Sequence, residues 1–361
     1  MDYLSRQQRL AGELRRRKLP ALLLSHMPNI RYLCGFTGSS GLLLFIGSER
    51  GPKATLFTDG RYTSQAAQEV QGAKVVITKG PAVEGAALAV RKARITRLGF
   101  EADHMPYSGF RQLADALRLV RPAPVSGLVE QLRVIKDATE VAQMRAAALL
   151  GSSLFQPLLA GILPGVSESV VAGELEFQAR KAGAEGMSFE TIVAAGPRSA
   201  LPHGRASAQA IPSQGFIILD YGVILAGYCS DMTRTVHLGP VSPARRAMYQ
   251  AVLEAQSASV HAVRPGVETG KVDQAGREVL KRAGYAAYFT HSTGHGVGIE
   301  VHEQPRLAKG QKQKLEPGMV VTIEPGIYIP DEGGVRIEDM VLVTESGHEI
   351  LTPTTKELIT L

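Results

Sequence analysis

Along the first third of the chain, short apolar runs alternate with amphipathic stretches. "ALLLS" from Ala21, "GLLLFIG" from Gly41, "ATLFTDG" from Ala54 and "AKVVITKG" from Ala73 have the length and aliphatic content of strands. Residues 63–71, 83–94 and 109–119 carry apolar side chains at helical spacing instead. The alternation predicts a small α/β domain. "RPAPVSG", from Arg121, reads as a Pro- and Gly-containing joint. Asp137 followed by Glu140 then reads as a capping box that opens the long helix "ATEVAQMRAAALL". The expected division is residues 1–125 and 126–361.

The pattern in the larger segment repeats. "LPGVSESVVAGELEFQARKAGA" starts at Leu163 and "RPGVETGKVDQAGREVLKRAGY" at Arg264, and a shift of 101 positions superposes Pro164-Gly165-Val166 on Pro265-Gly266-Val267. In both copies Pro-Gly precedes an amphipathic helix that stops at Ala-Gly. His203, Asp220 and Asp231 follow the first copy; His302, Glu324 and Glu338 follow the second. Two similar halves about an approximate two-fold axis would bring both carboxylate pairs into one pocket. The fold class expected is therefore α+β with an internal repeat.

Composition narrows the classes. The chain is 44% hydrophobic and 20% charged, with no apolar run of 18 residues that could span a bilayer and no signal-like apolar core near Met1. Its two cysteines, Cys34 and Cys229, exclude a disulfide framework, and a cytoplasmic location is expected. The net charge of +6 would suit a nucleic-acid ligand, yet the one dense basic cluster, Arg15-Arg16-Arg17-Lys18, falls at the end of the first helix, where cations complement the helix dipole. Neither nucleic acid nor membrane is expected as a partner.

The acids decide what chemistry is expected. "GFIILDYGVILAGYCSDMTRTVHLG" reads as a hairpin of residues 216–223 and 229–236. With its turn centred between Leu225 and Ala226, Asp220 and Asp231 lie opposite each other, Cβ atoms about 5 Å apart. Acids so close in an apolar sheet repel unless a cation lies between them. In "PGMVVTIEPGIYIPDEGGVRIEDMVLVT", Glu324 ends an apolar strand, and alternation puts Arg336, Glu338 and Met340 on one face. A surface ion-pair ladder is the alternative for Arg336 and Glu338, and Asp339 points to the other face. In "HSTGHGVGIEVHE", His295 lies between Gly294 and Gly296, where bare backbone would let an ion approach. His291 and His302 read as supporting donors or as buried structural histidines. Cys229, Thr233 and Thr322 share faces with Asp231 or Glu324 and read as supporting groups. Asp59 and Arg61 in "TDGRY" read as turn residues, with contact to a second subunit as the alternative.

Four carboxylates and one imidazole form an oxygen-rich donor set. It suits two divalent ions, Mn²⁺ above all, with Co²⁺, Zn²⁺ or Fe²⁺ as substitutes. Two such ions lower the pKa of a water between them, so hydrolysis of a carbonyl or phosphoryl bond is expected.

"ALPHG", "LDYG…CSDMTRT", "HSTGHGVGIEVHE", "TIEPGIY" and "GGVRIED", in this order, resemble the creatinase/prolidase/methionyl-aminopeptidase superfamily of pita-bread metallopeptidases. "NIRYLCGFTGSSG" and "FTDGRY" resemble the smaller N-terminal domain of its Xaa-Pro aminopeptidase and Xaa-Pro dipeptidase branch. The resemblance implies Asp220, Asp231, His295, Glu324 and Glu338 as ligands of two metal ions, with Asp231 and Glu338 bridging. It implies a catalytic set of His203, His302, Glu324 and Arg336, and substrate contacts from His203, His291, His302 and Tyr328. It further implies a homodimer and removal of an N-terminal residue preceding proline from peptides. Restriction to dipeptides is the alternative, and a non-catalytic peptide-binding module a remoter one.

Overall fold

The apolar runs of the first third do form strands. The computed structural model describes residues 1–47 and 51–361. Ala21–Leu24, Leu42–Ile46, Lys53–Asp59 and Lys74–Thr78 join Arg97–Glu101 and Arg121–Val125 in one six-stranded mixed sheet. Ala21–Leu24 is central: it pairs antiparallel with Leu42–Ile46 and parallel with Arg97–Glu101. It is wholly buried, which explains its unbroken apolar run. Helices Thr63–Glu69, Ala82–Lys92 and Tyr107–Leu117 lie close to the stretches predicted for them.

The chain divides into two units, Met1–Arg133 and Val134–Leu361. The boundary expected near residue 125 falls inside the first. "RPAPV" is no joint: Arg121–Val125 is the edge strand beside Arg97–Glu101. An edge strand leaves one row of N–H groups outside the ladder, so it tolerates Pro122 and Pro124.

The second unit opens with the helix Ala138–Leu159, and Asp137 and Glu140 form the capping box in both directions, at 2.9 and 3.0 Å. The repeat is visible in its backbone. Helices Glu168–Lys181 and Thr269–Arg282 follow Gly165 and Gly266, whose φ values are 86° and 82°. Both helices run on to a left-handed glycine, Gly183 at 99° and Gly284 at 84°. Each half then adds antiparallel strands. Ile192–Ala195, Gly215–Tyr221 and Met232–Leu238 form one sheet, while Val320–Ile323 pairs with Asp339–Val343 in the other. The halves meet where Met232–Leu238 runs beside residues 335–338. There Thr235 Oγ1 donates to the Arg336 carbonyl at 2.8 Å, and the Glu338 N–H donates to the Thr233 carbonyl at 3.1 Å. Among the described residues, no helix is long and apolar enough to cross a membrane.

Candidate metal centre

The seam between the halves gathers the acids. Asp231, His295 and Glu338 each offer a ligand atom within 4.8 Å of the other two. His295 Nε2 also lies 3.4 Å from Glu324 Oε1 and 3.7 Å from Asp231 Oδ2. Asp220 reaches the group through Arg336, whose Nη2 donates to Asp220 Oδ2 at 2.5 Å. Asp220, Asp231 and Glu338 are buried, and Glu324 is partly so.

The hairpin register differs from the expected one. Thr233, and not Asp231, lies opposite Asp220. The turn falls at Ala226-Gly227, with Leu225 paired to Tyr228. Both turn residues have positive φ, 48° and 76°, the arrangement that matches strand twist and favours glycine at the second position. Asp231 precedes Thr233 by two positions, so it still faces the same side as Asp220. The glycines around His295 also serve another purpose than the one expected. A Cβ on Gly294 would meet the Thr322 carbonyl at 1.9 Å, and one on Gly296 the Gln304 carbonyl at 2.1 Å. They admit neighbouring backbone, which fixes the Gly294–Gly296 strand and thereby His295.

Electrostatics sets this pocket apart. Burial, then the charges of Glu338, Asp220 and Glu324, push Asp231 well above the usual carboxylate range. Burial, then Glu324 and Asp220, do the same to Glu338. Burial raises Glu324 to about 8. Asp220 Oδ1 is buried with no hydrogen-bond donor. A buried carboxylate oxygen without a partner, among acids that resist ionising together, fits a site shaped for divalent cations. Burial lowers His295 to about 4, which keeps its ring neutral. Its Nδ1 faces the Gly296 carbonyl at 3.0 Å, and a proton held there leaves the Nε2 lone pair aimed at the acids.

The remaining predicted residues surround this core. Thr233 Oγ1 donates to Glu338 Oε2 at 2.7 Å and accepts from Arg336 Nε at 3.1 Å. Thr322 Oγ1 accepts from the His295 N–H at 3.1 Å. Cys229 lies in an apolar cluster with its Sγ 3.5 Å from the Ile299 carbonyl. Arg336 Nη1 donates to Tyr328 Oη at 2.7 Å, and that hydroxyl lies 2.9 Å from His291 Nε2. His302 packs edge-on against His295, ring centroids 4.4 Å apart. His203 is exposed, and Arg336 holds the preceding Pro202 carbonyl at 3.0 Å, which keeps this segment beside the site. In the first unit, Asp59 caps the turn it opens, accepting from the Arg61 N–H and side chain.

Two supports escaped the sequence reading. Asp273 accepts from Thr293, at its N–H and hydroxyl, and from Arg277, and Arg277 in turn donates to the carbonyls of Phe289 and His291. The i,i+4 spacing of Asp273 and Arg277 was the available signal. Arg234, in a strand buried at every position, donates to the Glu338 carbonyl and to Asp339.

Fold and site together define a metal-dependent hydrolase of the pita-bread type, preceded by a separate α/β domain. Residues 142–345 match Metallopeptidase family M24, and residues 6–135 match the Creatinase/Prolidase N-terminal domain. The chain belongs to metallopeptidase family M24 and is a metallo-exopeptidase. It is 42% identical to an uncharacterized peptidase, YqhT, of Bacillus subtilis, over 99% of both chains. Among solved structures, an Xaa-Pro dipeptidase from Bacillus anthracis is similar at 42% identity and a TM-score of 0.96, over 100% of both chains. An X-Pro aminopeptidase from Thermotoga maritima is similar at 34% identity and a TM-score of 0.90, over 99% of this chain and 100% of that one.

Proposed function

We propose that the protein hydrolyses the bond between an N-terminal residue and a following proline, releasing the first residue from peptides. The observation that carries this reading is the convergence of Asp231, His295 and Glu338 within 4.8 Å, with Glu324 beside them. In this reading Asp220, Asp231, His295, Glu324 and Glu338 hold two divalent ions, Mn²⁺ being the best match to an oxygen-rich set. When bound, the ions supply Lewis acidity, polarising the scissile carbonyl and acidifying water.

The chain's own groups do the rest. Glu324, placed beside the acids and His295, can take a proton from the attacking water and hand it to the departing amine. His203 and His302 line the approach as donors to the developing oxyanion. Arg336 and Tyr328 fix Asp220 and His291, so the imidazole that meets substrate keeps one orientation. An Xaa-Pro bond has no N–H and a fixed proline φ, so a site that grips α-amine and carbonyl suits it better than one that pairs with extended backbone.

A second reading, strict Xaa-Pro dipeptidase, is favoured by the name of the Bacillus anthracis relative. Incubating the Mn²⁺-loaded protein with Ala-Pro, Ala-Pro-Ala and, as a proline-free control, Ala-Ala separates the two. Release of alanine from the tripeptide is expected. Cleavage of the dipeptide alone selects the second reading, and cleavage of Ala-Ala in preference to both defeats the proline requirement.

A further inference from the structure

The Met1–Arg133 unit contains a separate group of metal-ligating side chains. His26 caps the helix Met27–Cys34, His104 lies in the turn after the strand Arg97–Glu101, and Glu130 belongs to the helix Leu128–Arg133. These three elements bring one donor atom from each residue within 4.8 Å of the other two. His104 Nε2 is 2.8 Å from Glu130 Oε1, and the two imidazoles stack at 3.6 Å with 11° between their planes. All three side chains belong to half-buried residues.

A buried scaffold holds the cluster. Asn29 Nδ2 donates to Glu130 Oε1 at 2.6 Å and to Glu101 Oε1 at 2.8 Å, and Arg133 Nη1 donates to Asn29 Oδ1 at 2.8 Å. Glu101 Oε2 accepts from the backbone N–H of Ser25 at 2.6 Å and of His26 at 2.7 Å. One hydrogen-bonded network therefore positions both the Glu130 carboxylate and the backbone that carries His26. Outer contacts of this kind are what orient metal-binding carboxylates and imidazoles. A small cavity lined by His104, Glu130, Glu101 and Asp103 opens beside the cluster and brings two further carboxyl groups near it.

We propose that His26, His104 and Glu130 bind a zinc-class divalent cation, separately from the acids of the Val134–Leu361 unit. Two imidazoles and one carboxylate form a softer set than the other centre and leave a position for water, as Zn²⁺ prefers. The cation takes the place of the proton shared between His104 and Glu130. The stacked rings turn so that their lone pairs converge, and the Nε2 proton of His104 shifts to Nδ1 of the same ring, leaving Nε2 for the cation; solvent protons compete for the same nitrogens, so affinity falls as pH falls.

The test uses the full-length chain carrying Asp231→Asn and Glu338→Gln, which disables the other centre, titrated with ZnCl₂ by calorimetry. One Zn²⁺ per chain is expected, with affinity falling at least about tenfold when His104→Gln is added. No binding in the parent, or equal binding in both, overturns the proposal. Should the doubly substituted chain fail to fold, zinc is counted in the otherwise unaltered protein with and without His104→Gln after gel filtration from excess ZnCl₂. Loss of one ion supports the site, and equal counts overturn it.

Discussion

Glu338 and Asp339 are consecutive and both buried, yet Asp339 sits among cations and Glu338 among acids. Asp339 meets Arg234 Nη2 at 2.8 Å and Lys356 Nζ at 2.9 Å, with Gln256 and Thr352 satisfying its remaining lone pairs. Burial pushes its carboxyl up, but the two cations more than offset this and hold it below the usual range. Glu338 is held by Thr233, and burial with the charges of Glu324 and Asp220 drives it well above that range. The lesson is about who supplies the cation. Where the chain brings its own, a buried acid is architecture; where its neighbours are acids, charge balance must come from outside.

The strongest way to break this contrast is on the acid-rich side. Asp231→Ala should abolish turnover and retained metal together, read by peptide hydrolysis and by metal analysis of the folded variant. Full activity would remove Asp231 from the centre. On the cation-rich side, Asp339→Ala strands Arg234 and Lys356 and should cost about 3–5 kcal/mol in urea unfolding. A loss below about 1 kcal/mol would mean that the network contributes little to the fold. Thr233→Val removes the hydroxyl between Glu338 and Arg336, and Mn²⁺ affinity by calorimetry should fall by about ten- to a hundredfold. An unchanged affinity would make that hydroxyl incidental to the centre.

The smallest effect sharpens the sign. In chelator-treated protein, Glu324 holds a proton in the folded state that the unfolded chain releases, because its pKa is about 8 against an ordinary 4.5. Its contribution to stability is therefore complete below 4.5 and is lost as pH rises towards about 8. Asp339, depressed below its ordinary 3.8, contributes in the opposite sense, with stability lost as pH falls below that value. His291 and His295, lowered from 6.5 to about 4, oppose this up to 6.5, so the melting temperature without metal should decline between 6.5 and about 8, and added Mn²⁺ should flatten the decline. A rise across that window would contradict the raised acids.

What the sequence made legible was local or periodic. The strands of the first unit, the Asp137–Glu140 cap and the paired Gly165 and Gly266 turns all depend on residues within a few positions of one another. The hairpin register did not follow, because moving the turn centre to Ala226-Gly227 changes which residue faces Asp220 without moving Asp231 to the other face. The reason for Gly294 and Gly296 was hidden because the carbonyls they admit, of Thr322 and Gln304, come from other strands. Arg234 was hidden for the same reason: its carboxylate lies 105 residues further on. Buried charge pairs of that separation leave no period in a sequence.

Arg234 has one further set of partners, and these bear on how the pocket is braced from behind. Its guanidinium also holds the carbonyls of Thr354 and Thr355, at 2.7 and 2.9 Å, and beyond them the backbone of Ile359 and Leu361 bonds to His237. The segment 354–361 thus runs along the very strand that presents Thr233 to Glu338. Arg234 ties this segment to the Glu338 carbonyl as well, so whatever loosens residues 354–361 slackens the acid pocket with them.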